Sequence, residues 1–216
     1  MSLKINEIFH SIQGESSYAG LPCVFVRLAG CNLRCSYCDT RYAYDTGADF
    51  DIPRIMEQVR SFGCGLVEVT GGEPLIQEEA PVLIRSLLDE GYEVLLETNG
   101  SLDISVVDNG CVRIVDIKCP SSGMADRNDM RNLERLSPRD ELKFVMGCRE
   151  DYEFAAQRMR SMRPSAEAAG IRINFSAVFG ELSPRTLAEW ILKDRLPVRL
   201  NVQLHKIIWD PHARGV

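Results

Sequence analysis

The sequence predicts an α/β protein built as a partial, open parallel β/α barrel of about six units. Short apolar runs alternate with helical stretches along most of the chain. Several runs are continuously apolar, as strands of a covered parallel sheet are. Six or seven such units are too few for a closed eight-stranded barrel, which leaves the open form.

In chain order the strands are expected at Val24–Leu28, Leu66–Thr70, Val94–Thr98, Val112–Ile117, Leu142–Met146, Ile171–Ser176 and Val198–Gln203. The helices are expected at Pro53–Phe62, Ala80–Glu90, Asn128–Leu136, Asp151–Arg163 and Pro184–Lys193. Pro53, Pro81 and Pro184 sit near helix starts, where a missing amide costs little. Ser183 is the expected N-cap of the last helix. The segment Ser101–Asn109 is too short to assign.

No composition break divides the chain, so residues 1–216 read as one domain. Hydrophobic residues make up 45% and charged residues 26%, the balance of an ordinary globular protein. A net charge of −6 argues against a broad nucleic-acid footprint. No apolar run approaches a membrane span, and the N-terminus lacks the pattern of a signal peptide. A reducing cytoplasm is the expected location.

Polar residues gather where the strands end. The expected strands run into Thr70-Gly71-Gly72-Glu73-Pro74, Glu97-Thr98-Asn99-Gly100, Asp116-Ile117-Lys118-Cys119-Pro120-Ser121-Ser122-Gly123, Asn174-Phe175-Ser176 and Gln203-Leu204-His205-Lys206. In parallel α/β folds reactive groups belong at the C-terminal strand ends, so these residues describe one wide site.

Cys31, Cys35 and Cys38 follow the first of those strands within a single loop. Three thiolates can hold three corners of a cuboidal iron–sulfur cluster and leave one iron open to a small molecule. Electron-transfer clusters ordinarily close all four corners with cysteine. A structural zinc site would want a fourth ligand, and no second Cys-x-x-Cys follows. The five other cysteines, Cys23, Cys64, Cys111, Cys119 and Cys148, are scattered singly and read as small buried apolar groups. Gly71-Gly72 frees the backbone to approach a ligand, which makes the Gly-Gly-Glu-Pro turn a candidate for holding an amino group on the open iron.

The cysteine loop, with Tyr37 directly before its last cysteine, resembles the radical S-adenosylmethionine (SAM) superfamily. The resemblance implies the open barrel of that superfamily and a 4Fe–4S cluster on Cys31, Cys35 and Cys38. It also implies SAM on the open iron, cleaved by the reduced cluster to a 5′-deoxyadenosyl radical. Tyr37, Cys38, Asp39, Gly72, Glu73, Lys118, Ser121 and Ser176 would then contact SAM. Asn99 and Lys143 also belong to the mouth.

A second resemblance covers nearly the whole chain. Ile8-Phe9-His10-Ser11-Ile12-Gln13-Gly14-Glu15, Phe25-Val26-Arg27-Leu28, Cys38-Asp39-Thr40 and Gln203-x-His205-Lys206 are similar to the 7-carboxy-7-deazaguanine synthase family. That likeness implies ring contraction of 6-carboxy-5,6,7,8-tetrahydropterin with loss of ammonia, on the route to queuosine and other deazapurines. SAM is regenerated after each cycle. Substrate would be held by Ile12, Gln13, Gly14, Glu15, Arg27, Thr70 and His205, and Mg2+ by Thr40. A flavodoxin or ferredoxin donor and a homodimer are implied as well. In some family members the chain ends soon after the matched histidine, and its terminal carboxylate touches substrate. Here a longer tail runs on to Val216, which puts that contact in doubt.

Two other readings compete. A glycyl-radical enzyme activating protein shares the cysteine spacing but not the Ser11–Glu15 motif. A non-catalytic zinc or iron–sulfur module would share the thiols and lack the chemistry.

Overall fold

The structure is a computed structural model that describes residues 2–216, and only the backbone of 163–169. Nine strands join one open sheet. In chain order they are β1 (Ser2–Ile12), β2 (Pro22–Leu28), β3 (Ala48–Asp51), β4 (Leu66–Gly71), β5 (Glu93–Thr98), β6 (Val112–Lys118), β7 (Glu141–Met146), β8 (Arg172–Ala177) and β9 (Arg199–Asn201). Their spatial order is β3-β1-β2-β4-β5-β6-β7-β8-β9. From β2 to β9 every pairing is parallel, which is the expected partial barrel.

The sheet is nevertheless mixed, because β1 pairs antiparallel with both β2 and β3. Neither β1 nor β3 was expected. In β1 the register shifts between Ile5 and Glu7, so its apolar alternation changes phase partway along. The third strand is four mostly exposed residues at the sheet edge and carries almost no pattern.

Helices α1 (Ile52–Ser61), α2 (Ala80–Asp89), α3 (Arg149–Ala169) and α4 (Pro184–Asp194) match expectation within a few residues, except that α3 runs further at its end. Asp51 caps α1 by accepting the Arg54 N–H at 3.0 Å. Ser183 stands at the α4 N-cap position but makes no side-chain cap bond. The helix expected at Asn128–Leu136 is a 3-10 turn at Met130–Glu134 instead. Asn128, Asp129 and Asn132 spend their side chains on nearby backbone, which competes with an α-helix. The last strand is also shorter than expected. Pairing on one side only, with β8, it ends at Asn201 before the short helix α5 (His205–Ile208).

Alternation along each parallel strand separates two environments. Val24, Val26, Leu28, Val67, Val69, Val94 and Leu96 face outward and pack with residues of α1 and α2. Leu142, Phe144, Met146, Ile173 and Phe175 pack likewise with residues of α3 and α4. The inward residues Cys23, Phe25, Leu66, Leu95, Val112 and Ile114 form a smaller apolar plug at the barrel floor. Above that plug the inward positions are polar. Cys23, Cys111 and Cys119 are buried as expected, whereas Cys64 is half-buried and Cys148 is exposed.

Candidate active site

A single cavity opens at the C-terminal ends of the strands. Its wall brings together Ile12, Gln13, Gly14, Glu15, Arg27, Cys31, Cys35, Tyr37, Cys38, Asp39, Thr40, Thr70, Gly72, Lys118 and His205, all expected site residues. It also includes Val216, so the tail returns to the mouth despite its length.

The cysteine loop is pinned from both sides. Ser36 donates its N–H to Ser122 O at 3.1 Å and its hydroxyl to Ser121 O at 2.7 Å. Tyr37 donates its hydroxyl to Val145 O at 3.1 Å. On the other side Gly72 and Glu73 continue the ladder beyond β4, donating to Leu28 O at 3.2 Å and Gly30 O at 2.8 Å. This is where the two glycines are needed. Gly71 has φ +151°, and a Cβ on Gly72 would overlap Gly30 O and stand 2.7 Å from Cys31 Cβ. The turn is thus a close backbone cradle against the first cysteine.

Three expected residues lie off the wall. Glu73 is wholly buried, and its carboxylate accepts from Leu75 N, Thr98 Oγ1 and Asn99 N at 3.0, 2.8 and 2.6 Å. Its side chain holds the turn together from beneath the cavity wall. Ser121 gives its hydroxyl and its N–H to Asp151, and its carbonyl anchors the cysteine loop. Ser176 accepts from Asn201 Nδ2 at 2.8 Å, joining β8 to β9.

The opposite half of the cavity is formed by the loop after β1. It reaches across the barrel opening to strands on the far side. Gly14 O accepts the Leu204 N–H at 3.0 Å, and Gly14 packs so closely on His205 that a Cβ would overlap Nδ1. Glu141 on β7 accepts from Ser17 N at 3.1 Å and from the Ser17 hydroxyl. Glu15 accepts from Gln203 Nε2 at 2.9 Å and Lys143 Nζ at 3.0 Å. Lys143 also bonds Glu97, making an acid–base–acid row about a buried lysine. Burial works against the Glu15 carboxylate, yet Lys143, Gln203 and His205 hold it below the usual range. Gln13 is engaged at both ends, its Nε2 on Glu68 and its Oε1 on the Glu15 N–H at 2.9 Å.

Arg27 is fixed through Nε by Glu7 at 2.8 Å. Its two terminal nitrogens have no hydrogen-bond partner among the described residues, so they face the cavity free. Asp39 accepts from Lys206 Nζ at 2.6 Å and Thr40 Oγ1 at 3.0 Å. Burial would raise its carboxyl, but Lys206 and those bonds hold it well below the usual range. Lys118 bonds Asp116 at 2.8 Å.

Glu68, Glu97 and Asp116 line the wall as well. Glu97 and Asp116 belong to the strand-end runs expected at the mouth, whereas Glu68 was not anticipated. It stands two positions before Thr70 on β4 and points the same way, and that spacing is the signal that could have found it.

A model of the radical SAM superfamily matches residues 26–114. The 7-carboxy-7-deazaguanine synthase of Chlorobaculum tepidum is 49% identical over 217 residues, covering 99% of this chain and 97% of that protein. The chain belongs to the 7-carboxy-7-deazaguanine synthase family. The synthase of Koribacter versatilis is 42% identical, with 99% of this chain and 100% of that protein covered. Among solved structures, QueE from Escherichia coli superposes with a TM-score of 0.77 at 22% identity, over 94% of each chain. Streptococcus suis SuiB bound to S-adenosylmethionine gives 0.55 at 14% identity, over 80% of this chain and 44% of that one. Both likenesses are of fold.

As a radical SAM member of the synthase family, the chain uses a 4Fe–4S cluster and SAM, takes a small-molecule substrate and needs a reductant. The residues fit that equipment: three free thiols share one wall, and the Gly71-Gly72 backbone lies open beside Cys31. Among the described residues no helix is long and apolar enough to cross a membrane.

Gly72→Ala tests the cradle. Forcing a methyl against Gly30 O and Cys31 costs roughly 1–3 kcal/mol of overpacking and displaces Cys31. Iron bound per chain is expected to fall, with the far-ultraviolet circular dichroism unchanged. Full iron loading in the variant would show that the cradle tolerates a side chain.

Proposed function

We propose that the chain converts 6-carboxy-5,6,7,8-tetrahydropterin to 7-carboxy-7-deazaguanine with loss of ammonia. What carries the reading is that the three-cysteine loop and the Glu15, Arg27 and His205 cluster open on one cavity in a member of the synthase family. The cluster and SAM supply hydrogen-atom abstraction when bound. The chain's own residues bind and orient.

Cys31, Cys35 and Cys38 hold the cluster. Gly72 gives SAM its backbone at the open iron, and Tyr37, Asp39 and Lys118 line the SAM side. The Glu15 carboxylate, kept ionised by Lys143, accepts from the N–H groups on the edge of the pterin. Arg27 offers its free fork to the substrate carboxylate. Ile12, Gly14, Thr70 and His205 complete the substrate side. Gln13 acts by positioning, since its amide is engaged with Glu68 and the Glu15 backbone. Thr40 supplies a hard oxygen to Mg2+, which takes its remaining ligands from water and substrate.

Residues 1–216 work as one domain, a reading supported by the single nine-stranded sheet. The electron donor is a flavodoxin or ferredoxin, the working form a homodimer and the location the cytoplasm. The donor and the homodimer are carried over from the family, and the location rests on the composition.

The test is anaerobic reconstitution followed by turnover of carboxytetrahydropterin with SAM, reductant and Mg2+. Protein that cleaves SAM but releases no deazaguanine product would refute the substrate assignment. Arg27→Ala is expected to raise KM for the pterin about 10–100-fold, the loss of a charge-assisted hydrogen bond or two. Its SAM cleavage should remain. An equal loss of SAM cleavage would place Arg27 on the cofactor side.

A further inference from the structure

Glu68 is the one acid on the cavity wall that no cation holds, among the described residues. Glu15 and Glu97 share Lys143, Asp116 has Lys118, and Asp39 has Lys206. Glu68 lies mid-strand in β4, points into the barrel and is 3% exposed. One of its oxygens accepts the Gln13 amide.

No charged neighbour bonds it among the described residues. From β2, Arg27 is held through Nε by Glu7 and makes no bond to Glu68, and the Cys23 thiol is pushed up by burial and by Glu68 itself. From β5 comes the Glu97 carboxylate, from the β1 loop Glu15, and from β7 Lys143, which lies between those two acids. A buried carboxyl facing two carboxylates, with no cation of its own, keeps its proton. Burial first, then Glu97 and Glu15, push Glu68 well above the usual range, with Lys143 and more weakly Arg27 opposing. A protonated carboxyl has one O–H donor. Since one Glu68 oxygen receives the Gln13 N–H, the hydroxyl is left for the cavity.

We propose that Glu68 is a specificity-determining residue that touches the substrate from the cavity floor and donates a hydrogen bond to an acceptor atom on it. With its other oxygen taken by the Gln13 amide, the Glu68 acid presents its hydroxyl as a donor, the complement of a lactam carbonyl. A carboxylate such as Glu15 presents two acceptors, the complement of an amino-pyrimidine edge. The floor therefore selects a heterocycle carrying both edges, and the inference rests on the carboxytetrahydropterin reading above.

The test compares wild type with Glu68→Gln and Glu68→Leu, each loaded with cluster. Glutamine keeps a donor and an acceptor but cannot ionise, whereas leucine keeps neither. Glu68→Leu is expected to raise Kd and KM for the pterin about 10–100-fold, and Glu68→Gln to stay within about threefold. In wild type, binding weakens as pH rises through the Glu68 titration, because the donor is present only below it; Glu68→Gln lacks that limb. The infrared band of an uncharged carboxylic acid should be present in wild type and absent in Glu68→Gln.

Stability gives a reading independent of substrate. Above the ordinary carboxylate range only the unfolded wild-type chain ionises Glu68, so wild type loses stability there as pH rises. Glu68→Gln should melt higher than wild type at neutral pH, with the gap closing in acid. A missing band, a glutamine variant as impaired as leucine, or a leucine variant that binds like wild type would each overturn the proposal. Should the leucine variant fail to fold, the band and the glutamine comparisons still decide it. Failure of the substrate reading is seen separately, as wild type that yields no product.

Discussion

Replacing any one of Cys31, Cys35 and Cys38 by alanine is expected to abolish SAM cleavage, because each thiolate is one of the three protein corners proposed for the cluster. No other cysteine stands on the cavity wall to substitute. Cys23, Cys111 and Cys119 are wholly buried elsewhere, and Cys148 is exposed away from the cavity. Nor does the loop have slack with which to compensate. Cys38 N donates to Cys35 O at 3.3 Å, Cys31 Sγ accepts from Leu33 N at 3.4 Å, and Ser36 and Tyr37 are tied to the neighbouring strand ends. Iron and sulfide per chain, with the rate of 5′-deoxyadenosine release, measure the effect. Cys111→Ala and Cys148→Ala serve as controls that keep both. A single alanine variant of the three that retains cluster and cleavage would mean that another residue completes the corner.

How the loop meets the rest of the site was legible in the sequence only in part. The parallel strands were visible because Val24–Leu28, Leu66–Thr70 and Val112–Ile117 are nearly continuous apolar runs. The same continuity hid the inner wall. Glu68 sits within such a run, and a strand read as apolar on both faces leaves no reason to ask which way an isolated acid points. Alternation answers that, because Val67 and Val69 face the helices while Leu66, Glu68 and Thr70 face inward. The antiparallel edge was lost for a different reason. The irregularity in β1 between Ile5 and Glu7 breaks the period-two pattern, and β3 is too short and exposed to have one.

Partnering was not legible at all. The sequence presents Glu73, Ser121 and Ser176 at strand ends as plausible ligand contacts, but their side chains are occupied by Thr98 and Asn99, by Asp151, and by Asn201. These bonds join residues 25 to 30 positions apart. Val216 reaches the cavity by the same kind of long-range approach, with Arg214 lying 4.1 Å from the centre of the Tyr42 ring.

The second large effect falls on Lys143, which binds the two halves of the substrate wall. Its ammonium bridges Glu15 from the β1 loop and Glu97 from β5, and its side chain is 7% exposed. Lys143→Met removes the cation and leaves two acids facing each other in a buried place. Stripping one partner from a buried ion pair costs roughly 3–5 kcal/mol, a fall on the order of 10 °C in Tm for a chain this long. The protein can lessen that cost by protonating one of the acids. Lys143 is the chief group that holds Glu15 below the usual carboxylate range against burial. Without it the Glu15 titration moves upward, and the carboxylate proposed to meet the pterin is kept over a narrower range of pH. The sign follows: KM for the pterin rises, and it falls again as pH is raised and Glu15 ionises. Lys143→Arg restores charge but not the compact geometry between two carboxylates, so it should recover Tm more fully than KM. If Lys143→Met raised KM equally at every pH, the lysine would be holding the wall by packing alone and Glu15 would keep its charge without it.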